Sequence, residues 1–316
     1  MLPDPDPVRA FVRRHPAVRE ATRRIRVHLP ERFGGIDPAR LPPRVRRFEL
    51  PLPRRGVTPP HQPDAIRVEA PGDLWLPRHL QRGGLAGYEP ESLACFLAAV
   101  EHARSGAVLD VGANIGIYSA LAAARSDRAV FSFEPTVEVA TVARTIAEEN
   151  GLDYTVLSLA LSNHTGTAAL RLSAISDASN SLATGHRPEI GRREVEVDTL
   201  AHWRERQAVV PAIVKIDTEA TEPEVLAGAL ELLRSFRPWI FCEVRPALGV
   251  AERLMALLEP HHYVWFHLEG APPYAPRTTI TAREDHHSRL WLFAPGMPPA
   301  HFWDAAAEWR TALADC

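Results

Sequence analysis

Residues 108–118 constrain the fold of this chain more than any other segment. They read Val-Leu-Asp-Val-Gly-Ala-Asn-Ile-Gly-Ile-Tyr, so a buried-strand pattern runs into a glycine-spaced loop, and a helical pattern follows at 117–124. A second apolar strand pattern, 129–133, ends on Glu134. In such a corner of an α/β fold, glycines let the backbone approach a nucleoside ligand, and the acid can accept hydrogen bonds from two ribose hydroxyls.

The glycine spacing indicates which nucleoside would bind. A dinucleotide fingerprint G-x-G-x-x-G counted from Gly112 needs glycine where the chain has Asn114 and Ile117. The pattern from Asp110 to Gly116 instead follows the D-x-G-x-G-x-G spacing of methyltransferases, with Asn in the middle position. Asn tolerates a left-handed backbone better than most other residues. The spacing therefore predicts S-adenosyl-L-methionine and not NAD, with the loop and the following helix N-terminus contacting its methionine part.

Length and composition exclude several other classes of protein. A chain of 316 residues has room for one large α/β domain and an appendage. A net charge of −3 gives no global case for a nucleic-acid partner. Three cysteines without a C-x-x-C pair argue against a disulfide framework or a zinc site and favour a reducing compartment. No apolar run has membrane-spanning length and no signal-peptide pattern is present, so we expect a cytoplasmic protein without a membrane partner.

The chain divides by composition into three parts. Residues 1–85 form an expected N-terminal extension, rich in Pro and Arg up to about position 64, with a short helix at 8–26 and a small β element at 66–70 and 73–76. This extension is either a partly ordered segment, or a cap over the substrate pocket, or an arm for a homodimer. Residues 86–295 form the expected main domain, and 296–316 a helical tail.

The main domain alternates helix and strand patterns, as a doubly wound sheet does. The expected strands are 107–111, 129–133, 155–159, 168–173, 193–197, 212–216, 239–243, 263–268 and 289–293. The expected helices are 91–103, 117–124, 137–150, 223–233, 251–258 and 302–314. This order suits a seven-stranded sheet with helices on both faces.

A second polar constellation follows the apolar strand 212–216. Asp217 stands at the carboxyl end of that strand, the edge where ligands bind in open α/β sheets, and Glu219 follows in the loop. A carboxylate there can orient or deprotonate a substrate hydroxyl, or help to hold a metal. Glu222 and Glu224 suit a helix N-terminus, and Lys215, the only lysine, suits a structural ion pair.

Together these motifs resemble the FkbM family of S-adenosylmethionine-dependent methyltransferases. The resemblance rests on Val108–Gly116, on Phe133-Glu-Pro135, and on Val214-Lys-Ile-Asp-Thr-Glu-Ala-Thr-Glu222. Gly87-Tyr-Glu-Pro90, Ala160-Leu-Ser162, Ser179-Asn-Ser181, Val197-Asp-Thr-Leu200 and Glu243 also match, so the likeness covers roughly residues 88–268. It implies a Rossmann-like class I methyltransferase that methylates a hydroxyl of a small molecule such as a sugar, a polyketide or another natural product.

The resemblance also implies further site residues and shows one departure. Beside Asp110, Gly112, Asn114, Gly116 and Glu134, it implies cofactor contacts from Glu89, Ala113, Pro135 and Ala160. The family pattern after the fourth main strand is D-V-E-G-A-E, whereas this chain has Thr218, Ala220 and Thr221. Ala220 in place of glycine narrows the backbone choices of that loop. The acids remain, so the site is kept.

The sequence predicts direct methyl transfer in which Asp217 acts on the hydroxyl, assisted by Glu219 or a histidine. An aliphatic hydroxyl needs a base or a metal to lose its proton. His164 and His267 are the histidines expected to face the pocket, and His164 is the favoured assistant. A divalent metal is possible but not indicated, because His286 and His287 are adjacent and would point to opposite faces of a strand.

Three alternatives stay open beside this prediction. The first is a catalytically inactive binding module that keeps the fold, which the departure at Ala220 leaves open. The second is an NAD-dependent oxidoreductase. The third, RNA methylation, rests only on the arginine-rich leader, which prolines interrupt and no aromatic platform accompanies. For a small-molecule acceptor, residues 173–193 are expected to form part of the pocket.

Overall fold

The main sheet brings together strands that lie far apart along the chain. The computed structural model describes residues 44–56, 62–282 and 289–316, so the expected helix at 8–26 and the pair His286–His287 lie outside the described residues. The strands are β1 Val45–Pro51, β2 Ala65–Pro71, β3 Ala107–Val111, β4 Val130–Phe133, β5 Thr155–Leu157, β6 Ala160–Ser162, β7 Gly166–Ser173, β8 Glu189–Thr199, β9 Pro211–Ile216, β10 Trp239–Glu243, β11 Val264–His267, β12 Pro276–Arg277 and β13 Leu290–Ala294. The helices are α1 Trp75–Gly83, α2 Pro90–His102, α3 Ile117–Arg125, α4 Val137–Asn150, α5 Leu200–Gln207, α6 Glu222–Ala227, α7 Leu230–Ser235, α8 Val250–Leu258 and α9 Ala300–Ala314.

The strand order of the main sheet is β12-β11-β13-β10-β9-β3-β4-β5. Strands β10, β9, β3, β4 and β5 pair in parallel, and β13 is antiparallel to both of its neighbours. The sheet has eight strands where seven were expected, because the two-residue β12 adds to the edge at β11. Every residue of the central strands β3 and β9 is buried, as strands covered on both faces require.

Helices cover both faces of this sheet, as expected. One apolar core packs α2, α3, α4 and α9 against the sheet, and a second packs α5 to α8 against the opposite face. The first core also contains apolar residues of β1 and β2. Because the parallel strands run in one direction, the loops after β3, β4, β9 and β10 meet at one edge of the sheet.

One N-terminal expectation was wrong in detail. Residues 73–76 were expected as a strand, but helix α1 begins at Trp75. The apolar alternation there is the first turn of an amphipathic helix, in which Leu76 and Leu80 are buried one turn apart. The proline-rich stretch contains β1, which pairs with β2 in a separate two-stranded sheet and so forms no central strand.

The expected helix 223–233 is two helices, α6 and α7, separated at Gly228 and Ala229. A Cβ atom on Gly228 would lie 2.1 Å from the backbone oxygen of Ser162, and the oxygen of Gly228 accepts a hydrogen bond from Ala201 N. The glycine therefore allows a close backbone contact with β6, and that contact ends the first helix.

The strands of the polar stretch form a separate three-stranded sheet, ordered β6-β8-β7. β7 and β8 are antiparallel and joined by residues 174–188, which reach the cavity described below. Within the described ranges, none of the helices combines the length and apolar character needed to cross a bilayer.

Candidate functional site

A cavity of about 510 Å³ opens at the carboxyl ends of β3, β4, β9 and β10. It is lined at one end by the loop after β3 and the residues after β4, and at the other by the loops after β9 and β10. Of the residues predicted from the sequence, the lining contains Glu89, Gly112, Ala113, Asn114, Glu134, Pro135, Ala160, Asp217 and Glu219. Asp110, Gly116 and His164 are not among the lining residues.

Gly112 is required by the close approach of two strand ends. Its φ is 71°, and a Cβ atom would lie 1.8 Å from the backbone oxygen of Asp217. Any side chain would therefore overlap the neighbouring loop, whatever its size. The glycine lets the loops after β3 and β9 touch, and it leaves the backbone of the first loop open to the cavity.

The loop after β3 is tied to the end of β4. Gly112 N and Ala113 N both donate to the oxygen of Phe133 at 3.0 Å, and Asn114 N donates to Oε2 of Glu134 at 3.0 Å. Asn114 has a φ of 51°, so Asn takes the left-handed conformation expected at this position. The loop and Glu134 form one rigid corner.

Glu134 is fixed at the end of this corner and can still accept further hydrogen bonds. Its Oε1 accepts from Thr136 N at 2.8 Å and its Oε2 from Asn114 N, and the side chain lines the cavity. Burial raises the pKa of Glu134, although these backbone N–H groups act to lower it. Each carboxylate oxygen has a second lone pair, so the group can also accept hydrogen bonds from a diol.

Asp110 and Gly116 lie behind the corner. The Asp110 carboxylate is fully buried, and its Oδ2 accepts from Ser119 N at 3.2 Å and from Ser119 Oγ at 2.8 Å, in the first turn of α3. Gly116 precedes α3 with a φ of 79°. Both residues hold the helix start against the strand, and the structure does not bring either into the cavity lining.

Lys215 joins the two strand ends. Its Nζ donates to the oxygen of Gly112 at 2.8 Å and lies 3.5 Å from Asp110 Oδ1 and 3.6 Å from Asp217 Oδ2. Burial acts to lower the pKa of Lys215, but the carboxylates of Asp217 and Asp110 outweigh it, and the pKa lies above its usual value. Lys215 is therefore a charged structural partner of both acids.

Asp217 and Glu243 form a carboxyl pair in the cavity. Burial raises the pKa of Glu243 well above its usual value, and the charge of Asp217 raises it further. Burial also acts to raise the pKa of Asp217, but Lys215 and the hydrogen bond from Glu243 outweigh it, so the pKa is lowered. Of the two acids, Asp217 therefore ionises more readily, and its side chain lines the cavity.

Glu219 is held by cationic and imidazole side chains. Arg245 Nη2 donates to its Oε1 at 2.5 Å, and His186 Nε2 lies 3.2 Å from its Oε2. Arg245 Nε also donates to Glu243 Oε2 at 2.5 Å, so this guanidinium connects the loops after β9 and β10. Glu219 is buried and engaged, which leaves Asp217 as the more available carboxylate.

Glu222 shapes the loop after β9. Its Oε1 accepts from Thr218 N at 2.9 Å and from Ala220 N at 3.2 Å, so the side chain turns back into the loop as well as starting α6. Burial raises the pKa of Glu222 to about 7. Ala220 has a φ of 78°, and the loop therefore keeps a glycine-like conformation without glycine.

Three carboxylates have oxygens close enough to share a cation. One oxygen each from Asp217, Glu219 and Glu243 lie within 4.8 Å of one another. Lys215 and Arg245 already balance these acids at close range. The donor set therefore does not require a divalent metal, and no step of the chemistry below uses one.

Glu89 lines the cavity from the residue before α2. Tyr118 donates its hydroxyl hydrogen to Glu89 Oε2 at 2.8 Å, and Glu89 has a φ of 49°. Burial raises the pKa of Glu89 to about 7, and the charge of Asp217 contributes. Glu89 thus adds a further carboxyl group to the cavity lining.

The histidines predicted to assist lie elsewhere. His164 is exposed, with its Nδ1 3.1 Å from Asn163 Oδ1, and His267 stacks near Trp291 with its Nδ1 3.5 Å from Glu269 Oε2. The structure brings neither into the cavity. The histidine in the lining is His79, which the sequence did not suggest.

The remaining wall comes from α1 and from the segment between β7 and β8. Residues 175–182 and Arg187 line the cavity. Trp75 stacks on His79 with ring centroids 4.9 Å apart, and Trp75 N donates to Asp177 Oδ1 at 2.9 Å. The rings of Trp75 and His79 and residues 175–182 thus form one continuous surface.

Residues 110–264 match the family model of the methyltransferase FkbM domain. No curated protein matches the chain.

Solved structures with similar folds are distant. A methyltransferase FkbM from Methylobacillus flagellatus KT has 14% identity and a TM-score of 0.40, over 60% of this chain and 43% of its own length, less than half of that protein. A SAM-dependent methyltransferase from Agrobacterium tumefaciens has 12% identity and a TM-score of 0.40, over 81% of this chain and 71% of its own. The T. thermophilus 16S rRNA N2 G1207 methyltransferase, solved with AdoMet and guanosine, has 14% identity and a TM-score of 0.43, over 80% and 51%.

The fold class predicted from the sequence is confirmed: an α/β, largely parallel sheet of the class I methyltransferase kind, with helices on both faces. The motifs that suggested the family lie at its ligand edge, and the family match spans them. The resemblance to the FkbM methyltransferases that the sequence suggested is confirmed over residues 110–264.

Proposed function

We propose that this protein transfers a methyl group from S-adenosyl-L-methionine to a hydroxyl oxygen of a small molecule. The observation that supports this most is a single cavity that joins the Gly112–Glu134 corner to the Asp217–Glu243 pair. One end suits an adenosyl group with its amino-acid tail, and the other suits a hydroxyl.

The residues at the cofactor end fit this ligand. Glu134 offers free lone pairs for the ribose hydroxyls, and Gly112 lets the loops after β3 and β9 meet at the cavity. Ala113, Pro135 and Ala160 line the same end. S-adenosyl-L-methionine, when bound, supplies an electrophilic methyl group on a sulfonium.

Asp217 is the proposed base. Its charged carboxylate can accept the hydroxyl hydrogen of the acceptor, orient that oxygen toward the methyl group, and take the proton as the oxygen forms its new bond. Lys215 and the neighbouring Glu243 both favour the charged form of Asp217. A pKa below the usual value makes Asp217 a weak base, so orientation carries much of the effect.

The alternatives are less well supported by the site. The conformation of Ala220, held by Glu222, argues against a loop damaged by the loss of glycine, and so against an inactive binding module. Asn114 and Ile117 stand where the dinucleotide pattern needs glycine, which argues against an NAD-dependent oxidoreductase. The cytoplasm stays the proposed compartment, on cysteine usage alone: the cysteines are unpaired.

Calorimetry with the substitution Asp217→Asn tests the proposal. We expect S-adenosylhomocysteine to bind the wild type and NAD not to bind. The variant should keep that affinity, while S-adenosylhomocysteine formation with hydroxyl compounds falls by about 10²–10⁴-fold, the range for loss of a general base. Asp198→Asn is the matched control, because Asp198 is buried and bonded to Arg206, outside the cavity lining. Wild-type protein that binds NAD and not S-adenosylhomocysteine would overturn the proposal, and full activity of Asp217→Asn would remove the base.

A further inference from the structure

Arg187 lines the cavity, and its charge is only weakly paired with other groups of the protein. It lies between β7 and β8, and its side chain lines the cavity with 24% exposure. Its Nη2 lies 4.0 Å from Glu219 Oε2, beyond hydrogen-bonding distance. Its Nε is buried and has no hydrogen-bond partner among the described residues.

Other arginines of β7 and β8 bond to protein oxygens. Arg171 Nη1 donates to the oxygen of Leu182 at 3.1 Å. Arg192 Nε donates to a Glu189 carboxylate oxygen at 3.0 Å. Arg193 Nη2 donates to a carboxylate oxygen of Glu138 at 2.9 Å. Arg187 differs because it lines the cavity and its Nε has no hydrogen-bond partner among the described residues.

Glu219 does not neutralise Arg187 closely. Arg245 donates to one oxygen of Glu219 at 2.5 Å, and His186 lies 3.2 Å from the other, so nearer groups occupy both oxygens. Moving a guanidinium partly out of water without hydrogen-bond acceptors costs free energy. A bound oxyanion would offset that cost, since the terminal nitrogens of arginine form two parallel hydrogen bonds to a carboxylate or phosphate.

The position of Arg187 also limits the size of the ligand. Glu219 lies 4.0 Å from Arg187, and an oxygen of Glu219 lies within 4.8 Å of one from Asp217. One small molecule can therefore place an oxyanion at Arg187 and a hydroxyl at Asp217. Ile175, 62% exposed and in the same lining, offers apolar contact beside them.

We propose, resting on the proposed function, that the methyl acceptor carries an oxyanion bound by Arg187, a few bonds from the hydroxyl that Asp217 orients. The acceptor is then a hydroxy acid or a phosphorylated alcohol, and Arg187 is the residue that selects it against neutral alcohols.

The test observes Arg187 directly and needs no knowledge of the acceptor. In full-length protein labelled with ¹⁵N-arginine and saturated with S-adenosylhomocysteine, the Nε–H signal of Arg187 is the one absent from Arg187→Lys. We expect it to move on titration with inorganic phosphate, with sodium acetate, or with both, and to stay in place with potassium chloride at equal ionic strength. Calorimetric affinity for the active anion should fall about tenfold or more in Arg187→Met. Arg192→Met, which removes an exposed arginine outside the lining, should leave it unchanged.

The outcomes are distinguishable. A response to phosphate alone assigns phosphorylated acceptors, and a response to acetate alone assigns hydroxy acids. No response to either anion, an equal response to chloride, or equal affinity in Arg187→Met would overturn the inference. Because S-adenosylhomocysteine binding is measured separately, its loss would count against the proposed function and not against the anion site.

Discussion

The loops after β3 and after β9 both adopt left-handed backbone conformations, but different features stabilise those conformations. Both loops follow fully buried parallel strands, and both contain residues with a left-handed backbone conformation. The first uses Gly112, Asn114 and Gly116, residue types that adopt this conformation at little cost. The second uses Glu219 and Ala220, with φ of 58° and 78°.

The second loop is held by contacts instead of by residue type. Glu222 accepts hydrogen bonds from Thr218 N and Ala220 N, and Ser181 donates to the backbone oxygen of Glu219 at 2.5 Å. Arg245 holds the Glu219 side chain. A loop specified by residue type can be identified from sequence, whereas a loop specified by distant contacts is identified only in the folded protein.

The largest expected effect comes from breaking the first loop. Gly112→Ala places a Cβ atom 1.8 Å from the Asp217 oxygen, so we expect a loss of several kcal/mol in the free energy of unfolding, measured by urea denaturation, and no measurable S-adenosylhomocysteine binding. Gly185→Ala is the matched control. Gly185 has a φ of 72° but open space around its Cβ position, so its cost should be about 1 kcal/mol. Equal losses in both variants would mean that conformation and not the close approach explains Gly112.

A smaller effect, dependent on pH, should appear in the second loop. The pKa of Glu222 is raised from 4.5 to about 7 in the folded protein, so its protonated form favours folding. That stability is fully present below about pH 4.5 and is lost as the pH rises through about 7. We expect Glu222→Gln to gain up to roughly 3 kcal/mol relative to wild type between about pH 5 and about pH 8, measured by urea denaturation.

Glu224→Gln is the control for this experiment. Glu224 lies on the same helix turn as Glu222, but it is paired with Arg253 outside the cavity. If the difference between Glu222→Gln and wild type is the same at both pH values, the carboxyl of Glu222 is not protonated on folding, and the loop is not held by a neutral acid.

The smallest effect tests the left-handed alanine itself. Ala220→Gly relieves a conformation that costs about 1–2 kcal/mol but frees the unfolded chain by roughly 0.5–1 kcal/mol, so the net gain should be about 1 kcal/mol or less. Ala201→Gly, inside α5, should instead lose about 1 kcal/mol. Thermal unfolding of the two variants measures the sign of each change in stability. A loss in Ala220→Gly as large as that in Ala201→Gly would show that the loop bears no strain at this position.

The same contrast explains what the sequence could predict. The corner from Asp110 to Glu134 was predicted because strand, turn and helix signals stand within about twenty residues. Gly112, Asn114 and Glu134 were placed in the cavity as expected, while Asp110 and Gly116 support it from behind. Spacing within a motif does not tell which residues face a ligand and which hold the motif together.

The other half of the site depends on residues that only the fold brings together. Trp75 and His79 were missed because residues 73–76 resembled a strand, although they begin an amphipathic helix. Arg245 stands two residues after Glu243, at the end of the strand beside β9, and that position is the signal that could have identified it. The helix break at Gly228 arises from a contact with Ser162, which no local pattern contains.

The ion pairs of Lys215 have a practical consequence for chemical probing. The chain has one lysine, Lys215, which is 4% exposed and whose amine is bonded between two strand ends. Acylating reagents that target lysine should therefore leave this side chain unmodified while the sheet edge is closed. The rate at which that amine is acylated would then report how often β3 separates from β9. A bound nucleoside should lower that rate.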